Sequence, residues 1–123
     1  MKLMEIYKQV IFEQTYEVFH GSPSEFKRFD FKQSYQKIAW FTDSIDSIET
    51  GEAGAKSSKY IMQFKITIDN PAGWSEYKKY GIGQIKEQGF DGIILNNPDT
   101  NSNNYIVFSP KQIKYVKTVK SPL

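Results

Sequence analysis

Between Lys59 and Asn70 the chain alternates with a period of two. Tyr60, Met62, Phe64, Ile66 and Ile68 fall on one side, and Lys59, Ile61, Gln63, Lys65, Thr67 and Asp69 on the other. Successive side chains of a strand point to opposite faces, so this stretch predicts a strand laid against a core. Shorter apolar runs predict further strands at Tyr16 to His20, Ile38 to Thr42, Phe90 to Leu95 and Tyr105 to Phe108. Gln112 to Val119 alternates again, with Lys114 and Lys117 outward, as an edge strand that lysines keep from pairing with other chains.

Helical spacing is weaker. Ile6, Val10 and Phe12 lie near one face of a short helix over residues 2–14. Ser44 is placed to cap a helix running to about Thr50, with Asp46 and Glu49 in its first turns, where the macrodipole favours acids. Glu76 to Gln88 predicts a helical stretch interrupted at Gly81-Ile82-Gly83 and closed by Gly89. Loops are expected at the aromatic-clamped 24–31 stretch, at Gly51 to Ser58, at the Asn70-Pro71-Ala72-Gly73 turn, and at Asn96 to Asn104. With no repeat and no linker, the expectation is one domain over residues 1–123, of the α+β class, with short helices.

Composition narrows the chemistry. Nine Phe, eight Tyr and two Trp in 123 residues can build a core without disulfides, and there are no cysteines. One histidine and no thiol leave no usual ligand set for a transition metal, so no metal site is expected. A net charge of +2 is too mild to point to nucleic acid. No apolar run approaches the roughly eighteen residues of a membrane span, and Met1 to Glu5 leads into no signal-peptide core. A soluble, cytoplasmic protein without a membrane partner is expected.

Familiar catalytic templates are missing: no phosphate-binding G-x-x-x-x-G-K-[ST], no H-E-x-x-H, no G-x-S-x-G elbow. Asp43 and Asp46 read as helix-start acids, and Asp91 as a turn residue. What stands out is the only histidine, His20, at a strand end ahead of Gly21 and Ser22. An imidazole beside a backbone without a Cβ suits a flat polar ligand, although a strand-end histidine with a single hydrogen bond is the commoner case.

His20-Gly21-Ser22 heads an ordered series. It continues through Trp40-Phe41-Thr42-Asp43, a strand ending in Asn70-Pro71, Gly89-Phe90-Asp91-Gly92-Ile93-Ile94, and Tyr105-Ile106-Val107-Phe108-Ser109-Pro110-Lys111-Gln112-Ile113. This series, covering roughly residues 16–116, resembles the ADP-ribosyltransferase fold. It is most similar to the small ADP-ribosyltransferase-like domains of phage and mobile-element polyvalent proteins, in the His–Tyr–Glu branch.

The resemblance implies a compact fold in which two small antiparallel-rich sheets form an NAD cleft. NAD would be the co-substrate. By position, His20 would contact its ribose, and Gly21, with Ser22 beside it, the nicotinamide carboxamide. Trp40, flanked by Phe41 and Thr42, would supply the flat face for nicotinamide where the family has a tyrosine. The family's glutamate falls on Asn104, which can accept a hydrogen bond from a ribose hydroxyl but brings no charge to an oxocarbenium-like transition state. That loss is worth on the order of 2–4 kcal/mol of transition-state stabilisation. Asp99 is the nearest acid to stand in for it. The implied activity is mono-ADP-ribosyl transfer from NAD to a macromolecular target, a host protein in the phage-type relatives. The alternatives are a catalytically silent domain that binds NAD, ADP-ribose or a protein, and a nucleic-acid-directed enzyme, for which Lys111, Lys114, Lys117 and Lys120 are the only support.

Overall fold

A computed structural model describes residues 14–29, 38–45, 48 and 59–121. The helix expected over residues 2–14, the loop over 51–58 and most of the helix expected after Ser44 lie outside them, although Ile45 and Ile48 are helical. Seven strands form one sheet: β1 (Thr15–Ser22), β2 (Ala39–Thr42), β3 (Tyr60–Thr67), β4 (Pro71–Ala72), β5 (Gly92–Asn97), β6 (Ser102–Val107) and β7 (Ile113–Lys120). Two short helices, α1 (Trp74–Lys79) and α2 (Ile82–Glu87), and a 3-10 turn at Pro110–Gln112 complete the described chain. The class is therefore mixed, sheet-dominated and mostly antiparallel.

Across the sheet the order is β4-β5-β6-β2-β1-β3-β7. The expectation of two sheets is corrected: hydrogen bonding runs continuously through all seven strands. The join is narrow, however. β1 pairs with β3 along its whole length, from Thr15↔Thr67 to Ser22↔Tyr60. β2 pairs fully with β6, from Ala39↔Val107 to Thr42↔Asn104. Between β1 and β2 there is a single register pair, Phe19↔Thr42. A four-strand half and a three-strand half thus meet at one point, and His20, Gly21 and Ser22 run past it along a seam.

Each face of the sheet carries its own core. On one side Val18, Ala39, Phe41, Met62, Phe64, Ile66, Ile68, Tyr105 and Val107 are buried together, with Tyr16, Phe26 and Phe29 packed against them. On the other, Ile38, Ala72, Ile85, Ile93, Leu95 and Ile106 are covered by α1 and α2 through Tyr77, Tyr80 and Ile82. Full burial of one such aliphatic or aromatic side chain is worth about 1.5–3 kcal/mol, so alternation along each strand fixes register and face together.

Several sequence expectations shift. The Asn70–Gly73 turn contains β4, which pairs in parallel with β5 through Pro71↔Gly92 and Ala72↔Ile93. Proline is tolerated there because β4 is an edge strand. The helical stretch starts two residues before Glu76, at Trp74, and breaks at Tyr80–Gly81. Gly89 does close α2, at φ +94°. The loop expected over Asn96–Asn104 is mostly strand. β5 and β6 continue to Asn97↔Ser102 and turn through Pro98–Asn101, where Asn101 takes φ 51°.

Two motif residues tie the structure together. The Asp91 carboxylate accepts from the backbone N–H of Asp69 and of Asn70, both at 2.8 Å. The Gln112 amide donates to the carbonyls of Thr67 (2.9 Å) and Asp91 (2.7 Å) and accepts from the N–H of Phe108 and Ser109. Gly92 between them has no room for a side chain: a Cβ would lie 2.9 Å from the Ile106 carbonyl oxygen and from two carbons of Ile68. No helix among the described residues is long and apolar enough to cross a membrane.

Candidate functional site

His20 sits at the seam and reaches across it. Its Nδ1 lies 2.7 Å from the Trp40 carbonyl oxygen. A carbonyl only accepts, so Nδ1 carries the proton, and in the neutral ring Nε2 is left as an acceptor. Among the described residues no other hydrogen bond reaches the imidazole. The ring is walled edge-on by Phe29 (5.1 Å between centroids), Phe26 (5.7 Å) and Phe41 (5.8 Å). Burial in this apolar setting lowers the imidazole pKa from 6.5, against an opposing, smaller pull from the Trp40 carbonyl. His20 is therefore neutral at physiological pH, with a fixed tautomer.

Around it, the turn is closed by small polar groups. Ser22 is buried, and its Oγ accepts from the Ser24 N–H at 3.1 Å, which fixes the chain's exit at Pro23. Gly21, also buried, lies on β1 beyond the last β1–β2 pair. Thr42 is fully buried, and its Oγ1 accepts from the Ser44 N–H at 3.2 Å. Phe41 is fully buried in the core beneath His20. As the strands stand, Phe41 and Thr42 serve packing and turn formation.

Strand alternation separates the remaining residues. Phe41 faces the His20 side, so the Trp40 indole points the other way and packs against the core beneath the helices. Trp40 contributes its carbonyl to His20, while its ring lies on the opposite face. Asn104 pairs with Thr42 on one side and Leu95 on the other, which puts it on the helix-bearing face with Trp40. There it lines a cavity of about 700 Å³ with Asp99, Trp74, Lys78, Asn96, Asn97 and Pro98. The structure thus brings Asn104 and Asp99 together but separates both side chains from the His20 ring.

Asn104 Oδ1 is buried, closed off from solvent, and has no hydrogen-bond partner. Asp99 is exposed in the hairpin turn, its backbone N–H donating to Asn97 Oδ1 at 3.1 Å. Trp74 and Lys78 were not singled out by sequence. The available signal was an aromatic residue directly after the Asn70–Gly73 turn, with Tyr77 three residues on and Lys78 four. Asp43, read as a helix-start acid and two residues ahead of the helical Ile45, also clamps β6: it accepts from the Asn103 N–H (2.9 Å), Asn103 Nδ2 (3.3 Å) and the Tyr105 hydroxyl (3.1 Å). Burial, with the Asp43 charge adding to it, pushes the Tyr105 hydroxyl pKa up to about 12.

The chain matches no protein-family model and no curated protein.

Proposed function

We propose that this domain binds NAD at the His20 seam and transfers ADP-ribose from it to a macromolecular acceptor. The reading joins the ordered motif series of the sequence to one observation, the imidazole locked by the Trp40 carbonyl with Nε2 free to accept. A ribose hydroxyl is a donor of the kind that Nε2 lacks. The backbone of Gly21 and Ser22 continues along the seam and offers peptide groups to a carboxamide. In the transfer, the bond between nicotinamide and ribose C1′ breaks and nicotinamide leaves as the neutral base. A nucleophile of the acceptor forms the new bond at C1′ and releases its proton to solvent.

The charge that develops on the ribose has no carboxylate beside His20 among the described residues, since Asn104 and Asp99 lie on the other face. An acid presented by the acceptor would supply that charge. The same observation favours a second reading, a catalytically silent domain that binds NAD, ADP-ribose or a protein partner. Labelled ADP-ribose transfer in host lysate, compared between wild type and a folded His20→Ala variant, separates the two. Transfer that depends on His20 supports the enzyme. Equal background from both proteins, with NAD binding retained in wild type, supports the silent domain.

A further inference from the structure

β7 spaces its lysines three apart, at Lys114, Lys117 and Lys120. In a regular strand that spacing would send Lys117 to the face opposite Lys114 and Lys120. Two irregularities in the β3–β7 ladder undo this. Val116 and Val119 have no partner on β3, so the pairs run Lys65↔Lys114, Gln63↔Lys117 and Ile61↔Lys120. Ile61, Gln63 and Lys65 share one face of β3, and the three lysines therefore share it too. Lys65 adds a fourth, directly opposite Lys114. All four are exposed. The one acid placed on this face of β1, β3 and β7 is Glu17, the β1 partner of Lys65. Among the described residues nothing takes up the ammonium groups of Lys65, Lys114 or Lys117.

Lysines and bulges on an edge strand commonly guard it against pairing with other chains. That role accounts for the three lysines of β7 but not for Lys65, which stands on an inner strand. Like charges directly opposite on neighbouring strands destabilise a sheet, so the Lys65–Lys114 pair is a cost that a bound anion removes. Along β3 the row repeats at every second residue, about 6.7 Å apart, close to the spacing of phosphates in an extended single strand. An acidic peptide has a similar repeat, but it binds by main-chain pairing at a sheet edge, which the two bulges spoil here. A phosphodiester backbone asks only for charge at intervals. We propose that this row binds the backbone of a single-stranded nucleic acid. The row uses neither His20 nor the seam, so it stands whether or not NAD binds there.

The test titrates the full chain into a fluorescent oligothymidylate of about twelve nucleotides, within the site sizes of single-strand binders, at several salt concentrations. Saturable binding is expected. The logarithm of the affinity should fall with the logarithm of salt at a slope of about −2.8, about −0.7 for each of four phosphate contacts. Lys65→Gln and Lys117→Gln should each bring the slope to about −2.1, and Lys65→Arg should keep it. Lys27 is the control, because it lies against the Tyr115 ring on the opposite face of the same strands. Lys27→Gln should leave the slope unchanged. Lys65→Gln should also melt at or above the wild-type temperature, since it removes the like-charge pair. No saturable binding, a slope that the row variants leave in place, or the same change from Lys27→Gln would each overturn the proposal. So would a lower melting temperature for Lys65→Gln, or equal affinity for polyglutamate of the same charge.

Discussion

The imidazole of His20 and the carbonyl of Trp40 are joined at 2.7 Å across the place where β1 and β2 cease to pair. One side-chain bond stands where further strand pairing would otherwise close the sheet. The bond makes the only histidine of the chain both a brace between the two halves and a ring of fixed tautomer. Nitrogen NMR of the single imidazole at neutral pH should show Nδ1 protonated and Nε2 bare. The reverse assignment would contradict the geometry.

Burial gives the same histidine a pH signature. Its folded pKa is below 6.5, so between the two values the unfolded chain binds a proton that the folded chain refuses. Its contribution to stability is therefore fully present above about pH 6.5 and is lost as pH falls through the folded pKa. Denaturant midpoints at about pH 7.5 and about pH 5.5 should differ, wild type being less stable at the lower pH. A folded His20→Phe variant should show a smaller drop, and an equal drop in both would remove His20 as the cause.

Gln112 should be among the most sensitive positions away from the cores. Gln112→Ala removes two donated and two accepted bonds that join the 3-10 turn to β3 and the Asp91 turn. A loss of about 2–3 kcal/mol is expected in thermal or chemical melts. Gln112→Glu keeps the acceptors but sets a carboxylate against two carbonyl oxygens, and it should be no more stable than the alanine variant. A Glu variant of wild-type stability would show that these contacts do not hold in solution.

Two glycines should respond in opposite ways to the same change. At Gly92 an added Cβ meets the backbone oxygen of Ile106 and the side chain of Ile68, so Gly92→Ala should cost about 1–3 kcal/mol. Gly83 lies within α2 with nothing within 4 Å of a Cβ. There Gly83→Ala should stabilise by about 0.5–1 kcal/mol through helix propensity. Melting temperatures moving in the same direction would contradict this account of the two sites.

Asn104 should cost the fold stability as it stands. Its buried, unpaired Oδ1 means that Asn104→Leu, of similar size, should raise stability by about 1 kcal/mol. A destabilised variant would indicate that Oδ1 is satisfied in solution.

The strands were legible where alternation was strong. The Lys59–Asn70 pattern became β3, with Met62, Phe64 and Ile66 buried in one core. Asp91 reads in the sequence only as a turn residue, and nothing there shows the tie that the Asp69 and Asn70 amides make of it. The Asn-rich stretch misled because asparagine disfavours strands on average, and context overrides that preference. Asn96 and Asn103 pair their amides across the hairpin at 3.1 Å, and Asp43 holds Asn103 from the far side. The site was legible at His20 and less so elsewhere. Trp40 and Phe41 are adjacent aromatics, and only the register with β1 decides which of them faces His20. Trp74 became visible only once α1 was seen to lie over the end of β5, where the Asn96 carbonyl holds its indole.

The central claim is that NAD meets His20 at the seam. It is tested most directly by titrating NAD into protein labelled with nitrogen-15 in its single histidine. The account predicts a saturable shift of Nε2 as it gains a hydroxyl donor, while Nδ1 stays bound to the Trp40 carbonyl. Imidazole signals that stay in place at saturating NAD would contradict it.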